Sequence, residues 1–515
     1  MTVRRREEGP PRAAAAPELV DSGFTLENAD APFLHRGLNL ADIGHVLDLA
    51  RRGLVPDDAR RTLLGLLLEA DATPPEEFPY DPELGEPYNS REAYFVSRVG
   101  DIAGWLHAGR PRREAVRIAL RLHVRRQITE LVAETARFGS AAVARAEEHA
   151  ETVMPDQTYL QHAQPSTFAH YLLSFVYSAL RDGRRLLDEL DWVDASPGGA
   201  GCVNGTRLLS DREFIAQALG FGDVIEHTRD AMWQVDGLIA VLATSSSLLT
   251  NLCKLAEDLE IWSSSEFDFV DLDDGYTRAS VLMPQKRNPY ALSIIRGASG
   301  VLIGRLSGFL AVTKSPSARS DNLIYAYGEV PRALDLALRI VRLSTGVVRT
   351  LRVNGERLAE EVRDGYTQAT DLAEHLVQVC DVDYRTAYLI VGRTVRAASR
   401  DGVPGIAITG EMIDRAAVEH CGRPLGVAGR DLSAVLDPWR IVLSRSARGG
   451  ASPEALARMT TRLRTEITDL AAAAADRLAG HDAAETALLT TARRDATTPP
   501  GPTEPVIPTD RGGAP

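Results

Sequence analysis

The chain has 515 residues, of which 44% are hydrophobic and 25% charged, and its net charge at pH 7 is −13. This composition is typical of a globular protein, and the acidic balance argues against nucleic acid or an anionic membrane surface as the main partner. No apolar run approaches the roughly 18 residues of a membrane span, and a chain of this length is expected to form two or three domains.

The N-terminal stretch MTVRRREEGPPRAAAAPE contains arginines but no apolar core, so we expect no signal peptide and a cytoplasmic location. The four cysteines, Cys202, Cys253, Cys380 and Cys421, lie far apart. Because their spacing does not match a metal site, we expect free thiols in a reducing compartment and no bound metal.

Helical periodicity dominates the chain, and alternating strand patterns are nearly absent. Residues 41–71 predict two short helices that are broken between Gly53 and Pro56. Long helices are predicted over residues 114–149, 166–192, 231–263, 289–312 and 331–351. Helices of this length favour an all-α bundle over several separate compact folds.

The predicted organisation is three helical domains between two disordered tails. The tails have Arg/Pro/Ala-rich and Pro/Gly/Thr-rich compositions, which bury too little apolar surface to become ordered. The predicted ranges are a tail at 1–20, an N-terminal helical domain at 21–113, a central long-helix bundle at 114–362, a C-terminal helical domain at 363–495 and a tail at 496–515.

The loop ASVLMPQKRNP, residues 279–289, holds one of only three lysines among 58 basic residues. Asn288 is a favourable N-cap and Pro289 suits a first helical turn, so a helix is predicted to begin here. Its positive end, together with Lys286 and Ser280, would form an anion site. The residues alone leave open the alternative of a capped helix beside an exposed loop with one solvated lysine.

This loop resembles the signature GSSxMPxKxN of the fumarase/aspartase superfamily, and most closely its argininosuccinate lyase form. It departs from that signature at Ala279 and Val281. The resemblance implies that Ser280 is the catalytic base that removes a carbon-bound proton. It also implies that Lys286 and Asn288 hold a carboxylate of the substrate.

Further segments carry the same resemblance in the same order: AGWLHAGRPRREA (103–115), QTYLQHAQP (157–165), GCVNGTRLLSDREFIAQALGF (201–221), DGYTQATDLAEHLV (364–377) and ARGGASPE (447–454). They imply an all-α, three-domain lyase that uses no cofactor and forms a homotetramer around a multi-helix core. The substrate would be a small dicarboxylate, bound in sites shared between subunits. Substrate-binding residues implied by the matched positions are His107, Arg112, Thr158 and Gln161.

The proton-transfer positions of the family have changed in this chain. Where argininosuccinate lyases have the histidine of YTHLQRAQP, this chain has Tyr159, and the glutamate that partners the histidine falls on Ser293. Tyr159 is thus a candidate replacement acid that would protonate the leaving amine. His162 would share its face if the segment were a helix, although such a histidine is more often a polar surface residue.

The segment that grips the arginine part of argininosuccinate has also diverged. In DNLIYAYGEVP (321–331), Asn322 matches, whereas the tyrosine, glutamine and lysine of the family become Asp321, Ala326 and Glu329. An Asn-Asp pair becomes Arg113 and Glu114. Arg113 is a candidate bidentate clamp for a substrate carboxylate, against the alternative of surface drift in a loop.

The resemblance and its departures together imply a carbon–nitrogen lyase of specialised metabolism. It would perform a β-elimination on an N-substituted aspartate or related succinate other than argininosuccinate, and release fumarate. Three alternatives remain open on the residues: a nitrosuccinate-type lyase that releases nitrite without protonating it, a cycloisomerase of the same fold, and a catalytically inactive structural relative.

Overall fold

The computed structural model describes residues 15–208, 210–318 and 324–497. Helices form nearly all of this structure, and the short strands make only two-stranded ladders. The all-α fold class is therefore confirmed. Asn322, a predicted substrate-binding residue, and Asp321 beside it lie outside the described residues.

The N-terminal part is built from short and medium helices. The predicted break is confirmed, because the first long helix ends at Arg51, Gly53 adopts a φ of 66° and Pro56 precedes the next helix. Helical structure begins at Pro17, inside the range predicted for the tail. The elements are α1 (Pro17–Leu19), a π-turn (Val20–Phe24), α2 (Thr25–Asn28), α3 (Ala31–Arg51), α4 (Asp57–Ala72), a 3₁₀ turn (Pro82–Leu84), α5 (Pro87–Val99) and a 3₁₀ helix (Gly100–His107).

The central part contains the five predicted long helices, each within a few residues of its expected bounds. Between them lie short strands and turns that carry the candidate site. The elements are α6 (Arg112–Glu148), β1 (Val153–Thr158), β2 (Gln161–Thr167), α7 (Phe168–Val193), β3 (Ala195–Ser196), α8 (Arg212–Ala218), β4 (Asp223–Val224), α9 (Thr228–Trp233), α10 (Asp236–Trp262), β5 (Val270–Asp271), a 3₁₀ turn (Asp274–Tyr276), β6 (Arg278–Ala279), β7 (Arg287–Asn288), α11 (Tyr290–Thr313), α12 (Glu329–Thr350) and β8 (Arg352–Val353).

The C-terminal part has its own apolar core and then returns to the bundle. Leu372, Ile390 and Ile413 belong to a cluster separate from the main core, whereas Leu463 and Ile467 of the last helix belong to the main core. The elements are α13 (Gly355–Asp364), α14 (Ala369–Cys380), α15 (Tyr384–Arg400), a 3₁₀ turn (Gly405–Ala407), α16 (Gly410–Cys421), α17 (Ser433–Leu436), α18 (Pro438–Ser444) and α19 (Pro453–Thr497).

Helix α6 is the axis of the main core, since α3, α7, α12 and α19 all pack against it. The approach of α3 is close: a Cβ at Gly37 would lie 2.5 Å from Cα of Ala119. Only glycine permits this distance between the two backbones. The start of α6, which carries Arg112 and Arg113, is thereby held against the N-terminal helices.

Within the part of the chain that the structure describes, two helices, α10 and α11, are long and apolar enough to cross a membrane by length and composition. The sequence-based expectation of no such segment was therefore too strict. In the most apolar window of α10, 56% of the residues are buried inside the chain, which is typical of a core helix. The corresponding share in α11 is 28%, so α11 presents apolar residues on the surface of the single chain.

Candidate active site

The signature loop is a β-hairpin. Arg278 pairs with Asn288 and Ala279 with Arg287 in an antiparallel ladder, and the Ser280 amide donates to the Lys286 carbonyl at 3.3 Å. Val281 and Leu282 at the tip are almost fully exposed. The hairpin therefore presents Ser280 and Lys286 beside each other at the protein surface.

Ser280 lies in a setting that favours its deprotonated form. Its Oγ accepts backbone N–H groups from Leu282 at 3.3 Å and Met283 at 3.0 Å. Hydrogen bonds donated to an oxygen stabilise its anion, as does a nearby positive charge. The backbone of Lys286 pairs with that of Ser280, and the Lys286 ammonium forms no ion pair with any residue that the structure describes.

The predicted helix cap at Asn288 is wrong. Helix α11 begins at Tyr290, with Pro289 at the N-cap position and no side-chain cap. Asn288 instead lies in β7 and donates from Nδ2 to the Arg278 carbonyl at 2.9 Å, which closes the hairpin. Pairing across the loop takes precedence over capping because it satisfies the amide and the strand backbone together.

The hairpin is fixed to the bundle by Arg287. Its Nη1 lies 3.0 Å from Asp271, and its Nη2 lies 2.6 Å from Asp274 and donates to the Leu272 carbonyl at 3.0 Å. Asp271 also binds Arg352 at 2.7 Å. Arg287, between Lys286 and Asn288, is thus an anchoring residue that the motif alone does not distinguish from its neighbours.

A second hairpin, β1–β2, carries Thr158, Tyr159 and Gln161. Thr158 pairs with Gln161, and the two-residue turn between them places Tyr159 and Leu160 at positive φ, 54° and 58°. Two consecutive non-glycine residues in this region are costly, and such strain is concentrated at functional positions. The Tyr159 side chain is 98% exposed, so its phenol projects away from its own chain.

The helical face that His162 could have shared with Tyr159 does not form, because both residues belong to this hairpin, and His162 is an exposed polar residue, the alternative that the sequence favoured. His162 lies in β2, and its Nε2 is 3.9 Å from Oε2 of Glu361. Close to its turn, the hairpin is held by Trp262, whose Nε1 donates to Oε1 of Gln157 at 3.3 Å. His162 is therefore placed against the C-terminal part rather than beside the tyrosine.

The segment before α6 is fastened by a buried network. Arg110 forms an ion pair with Asp42 and donates to the Tyr88 hydroxyl at 2.8 Å and the Ala41 carbonyl at 3.0 Å. The flanking Arg110 and Arg91 guanidinium groups outweigh burial and hold the pKa of Asp42 below its usual value. This network positions the residues on either side of Arg110.

Of those neighbours, His107 and Arg112 are engaged within the chain. His107 Nε2 lies 3.3 Å from Glu92, and Arg112 donates to Asn89 at 2.7 Å and pairs with Glu86. Arg113 lies over the Trp233 ring, 5.6 Å from its centroid. A substrate carboxylate at Arg112 would therefore compete with Glu86.

Glu114 has a role that the sequence did not reveal. It is buried, and its two carboxylate oxygens accept the N–H groups of Gly199 and Gly201, each at 2.7 Å. Both glycines adopt positive φ, 73° and 63°. Burial raises the pKa of Glu114 to about 7. Glu114 thus ties the glycine-rich turn to the start of α6.

The position of reversed charge, Glu329, lies in an ion-pair network. Its carboxylate is 3.1 Å from Arg332 and 3.5 Å from Arg305, and Arg332 also binds Asp30 at 2.6 Å. Ala326, in the turn that precedes α12, is buried. The surroundings of Glu329 are therefore arranged for a carboxylate and not for the lysine of the family pattern.

Ser293 also has a charged neighbour. Its hydroxyl donates to Oε1 of Glu260 at 3.3 Å, and Glu260 pairs with Arg296. A carboxylate from α10 thus lies at the position where the family pattern has a glutamate on α11.

The predicted site residues form three separate groups: the signature hairpin, the β1–β2 hairpin and the start of α6. The bonds described above hold each group to its own surroundings. Among residues 15–208, 210–318 and 324–497, no cluster of three or more His, Cys, Asp or Glu side chains could hold a metal ion.

Known proteins resemble this chain along most of its length. A lyase family model matches residues 83–304, and an argininosuccinate lyase C-terminal model matches residues 366–442. The argininosuccinate lyase of Methanoculleus marisnigri is 36% identical over 421 residues, 81% of this chain and 84% of that protein. That of Methanothrix thermoacetophila is 35% identical over 424 residues, 82% of this chain and 85% of that protein.

Solved structures agree with this picture. An EDDS lyase variant with bound fumarate superposes with a TM-score of 0.85 at 26% identity, covering 94% of this chain and 97% of that one. A 3-carboxy-cis,cis-muconate lactonizing enzyme from Pseudomonas putida has a TM-score of 0.69 at 18% identity, covering 88% and 99%. The second likeness shows a shared fold alone.

Proposed function

The chain belongs to the argininosuccinate lyase family of the fumarase/aspartase superfamily and is a carbon–nitrogen lyase, and on this premise we propose that it releases fumarate from an N-substituted aspartate other than argininosuccinate. The observation that carries the proposal is Ser280, whose Oγ accepts two backbone N–H groups in the same hairpin that carries Lys286. The signature hairpin thus offers both a base and an anion site.

The proposed reaction begins with Ser280 as its alkoxide. Ser280 takes the proton from the carbon beside one carboxylate, and the electron pair moves into that carboxylate to give an aci-carboxylate dianion. Lys286 and Asn288 stabilise this dianion, where charge develops. The electrons then return to form the double bond of fumarate while the C–N bond breaks.

The departing nitrogen takes a proton from Tyr159 in this proposal. A phenol O–H can donate a proton, so the side chain can act as a general acid. Support comes from the strained turn that projects Tyr159 fully out of its own chain. Because the phenol is exposed on its own chain, we propose that it serves a site on another subunit.

A homotetramer with shared sites would bring the three groups together. Helix α11 carries exposed apolar residues, among them Ile294, Val301, Ile303 and Leu310. Apolar residues left exposed on opposite sides of one helix are typical of a helix that is covered by other subunits. We propose that α11 lies in the helical core of the tetramer, which also explains its apolar composition without a membrane.

We do not propose argininosuccinate as the substrate, because Glu329 replaces the lysine in the segment that grips its arginine part. The Glu329 carboxylate is held in an ion-pair network with Arg305 and Arg332. The exposed thiols Cys202 and Cys421 are unpaired, which suits a reducing compartment. We therefore place the enzyme in the cytoplasm, in a specialised pathway.

The test is a direct assay for fumarate absorbance. Purified protein is offered a panel of N-substituted aspartates together with nitrosuccinate and argininosuccinate, and a Ser280→Ala variant serves as the control. We expect fumarate from at least one N-substituted aspartate and none from argininosuccinate. Fumarate from nitrosuccinate alone would favour the nitrite-releasing alternative. Undiminished activity in the Ser280→Ala variant would refute the proposed base.

A further inference from the structure

One face of α6 carries a row of arginines at four-residue intervals: Arg113, Arg117, Arg121 and Arg125. Residues spaced in this way lie above one another on a helix. Each guanidinium lies over at least one aromatic ring: Trp233 for the first two, Tyr327 also for the second, Trp192 for the third and Phe221 for the fourth. Arg117, Arg121 and Arg125 are buried.

Two of these buried arginines have acceptors. Arg125 pairs with Asp194 at 2.9 Å and also donates to the carbonyls of Gly220 and Leu219. Arg121 donates from Nη1 to the Trp192 carbonyl at 2.7 Å. Their charges are therefore satisfied by oxygen atoms of the chain.

Arg117 differs from both. Its Nε donates to the Met232 carbonyl at 2.9 Å, but Nη1 and Nη2 are buried and lack any hydrogen-bond partner in the described chain. The residue is only 5% exposed. A buried guanidinium is normally paired, because removing its charge and donors from water without acceptors is costly.

The surroundings of Arg117 fix its orientation without supplying an acceptor. Its Cζ lies over the Tyr327 ring at 4.0 Å from the centroid, and this contact offsets part of the cost of burial. The bond from Nε to Met232 sets the plane of the group. Four N–H donors on Nη1 and Nη2 thus remain in a preset fork, the arrangement that matches a carboxylate.

We propose that Arg117, together with Arg113 one turn earlier, binds a carboxylate carried by the leaving amine of the substrate. This inference rests on the proposed function. Tyr327, which covers Arg117, lies between Ala326 and Glu329, the positions at which this chain departs from argininosuccinate lyases. The substrate class is then an N-substituted aspartate whose amine is itself acidic, such as an N-(carboxyalkyl)aspartate.

The experiment compares matched substrates. N-(carboxyalkyl)aspartates of increasing chain length are each paired with the N-alkylaspartate of equal length, so the members of a pair differ only in the carboxylate. We expect the wild-type enzyme to favour the charged member of at least one pair by about tenfold or more in kcat/KM, as a bidentate charged hydrogen bond provides.

Three variants assign that preference to a residue. Arg117→Met is expected to reduce it to near equality, and Arg117→Lys to reduce it in part, since an ammonium lacks the planar fork. Arg121→Met is the matched control: it removes a neighbouring buried arginine whose donors have acceptors, and we expect the preference to persist.

Melting temperature separates binding from a structural role. If Arg117 only stacks between aromatic rings, Arg117→Met should melt lower than wild type and keep the preference. If it is held unpaired for a ligand, Arg117→Met should melt at the same or a higher temperature, as an apolar replacement of a buried unpaired charge. Arg121→Met should melt lower, because it leaves the Trp192 carbonyl without its donor.

The remaining outcomes are decisive as well. Any of three results would overturn the inference. The first is a preference that survives Arg117→Met, and the second is a wild-type enzyme that shows no preference. The third is a loss of kcat/KM in Arg117→Met that is equal for both members of each pair. If wild type releases no fumarate from any compound, the proposed function fails. The subsite is then judged by calorimetric binding of glutarate: binding by wild type and not by Arg117→Met supports it, and equal binding or none overturns it.

Discussion

The Ser293 hydroxyl lies 3.3 Å from Oε1 of Glu260, so a carboxylate from α10 reaches a position on α11 where related enzymes carry their own. Arg296, one turn after Ser293, pairs with the same carboxylate. The surface around Ser293 therefore still carries a carboxylate, which comes from α10 rather than from α11.

We expect Glu260→Gln to lower kcat by about tenfold while KM changes little, because the carboxylate would orient the proton donor and not hold the substrate. Steady-state kinetics on the best substrate measure both parameters. Glu257→Gln is the matched control, since Glu257 lies farther from Arg296, at 3.6 Å. Equal kinetics in the two variants would show that Glu260 only makes a surface ion pair.

The pH dependence of stability should report on Glu114. Burial raises its pKa from 4.5 to about 7, so between these values the folded chain holds the proton more tightly than the unfolded chain. Wild type should therefore lose stability from this group as the pH rises through that window. This titration lowers the free energy of unfolding of wild type by about 3 kcal/mol, and the loss is complete at a pH of about 7.

Glu114→Gln removes this titration, and the free energy of unfolding of the variant relative to wild type measures it. The free energy of unfolding of wild type minus that of the variant should fall from pH 4.5 to about 7 and then stay constant. Glu213→Gln, at an exposed glutamate of α8, is the control. A difference independent of pH would mean that Glu114 is ionised throughout in its bonds to Gly199 and Gly201.

The features that could be predicted from the sequence are those specified by local periodicity or by a contiguous motif. The long helices and the Ser280–Lys286 loop follow from three- and four-residue apolar spacing and from a short pattern. The cap at Asn288 failed because the competing partner, Arg278, lies ten residues away across a hairpin. The β1–β2 hairpin was missed because QTYLQHAQP does not alternate apolar and polar residues.

Other features depend on contacts that no local pattern encodes. Glu260 and Ser293 meet only because α10 packs on α11, and Glu114 meets the glycine-rich turn across 85 residues of chain. The unpaired state of Arg117 is likewise a property of the packed core, since its spacing from Arg121 and Arg125 makes the three look alike. Sequence therefore indicates the reaction type better than the leaving group.

The exposed apolar residues of α11 predict the effect of a charge placed among them. We expect Val301→Arg to dissociate the oligomer and abolish fumarate release, because a guanidinium cannot be buried unpaired in an interface. Light scattering after gel filtration measures the assembly. Val418→Arg is matched in exposure, 48% against 49%, but lies on α16 in the C-terminal part, and should remain assembled and active.

Shared sites make a further prediction about two inactive variants. If Tyr159 and Ser280 act in one site but come from different chains, Tyr159→Phe and Ser280→Ala should each lose activity, by about a hundredfold or more. Random reassembly of the two variants should then restore about a quarter of the sites, those with both native residues. Co-expression with two affinity tags and sequential purification yields the mixed oligomer for assay.

The control is a mixture of Ser280→Ala with Ser280→Gly, in which no site regains a base and no activity should return. Mixed oligomers of Tyr159→Phe and Ser280→Ala that remain as inactive as the parents would show that both residues serve the site from the same chain. That result would conflict with the outward projection of Tyr159, whose side chain is 98% exposed at the tip of a strained turn. Restoration, by contrast, requires the tyrosine to reach across a subunit boundary, because no other pairing of these variants regenerates a complete site.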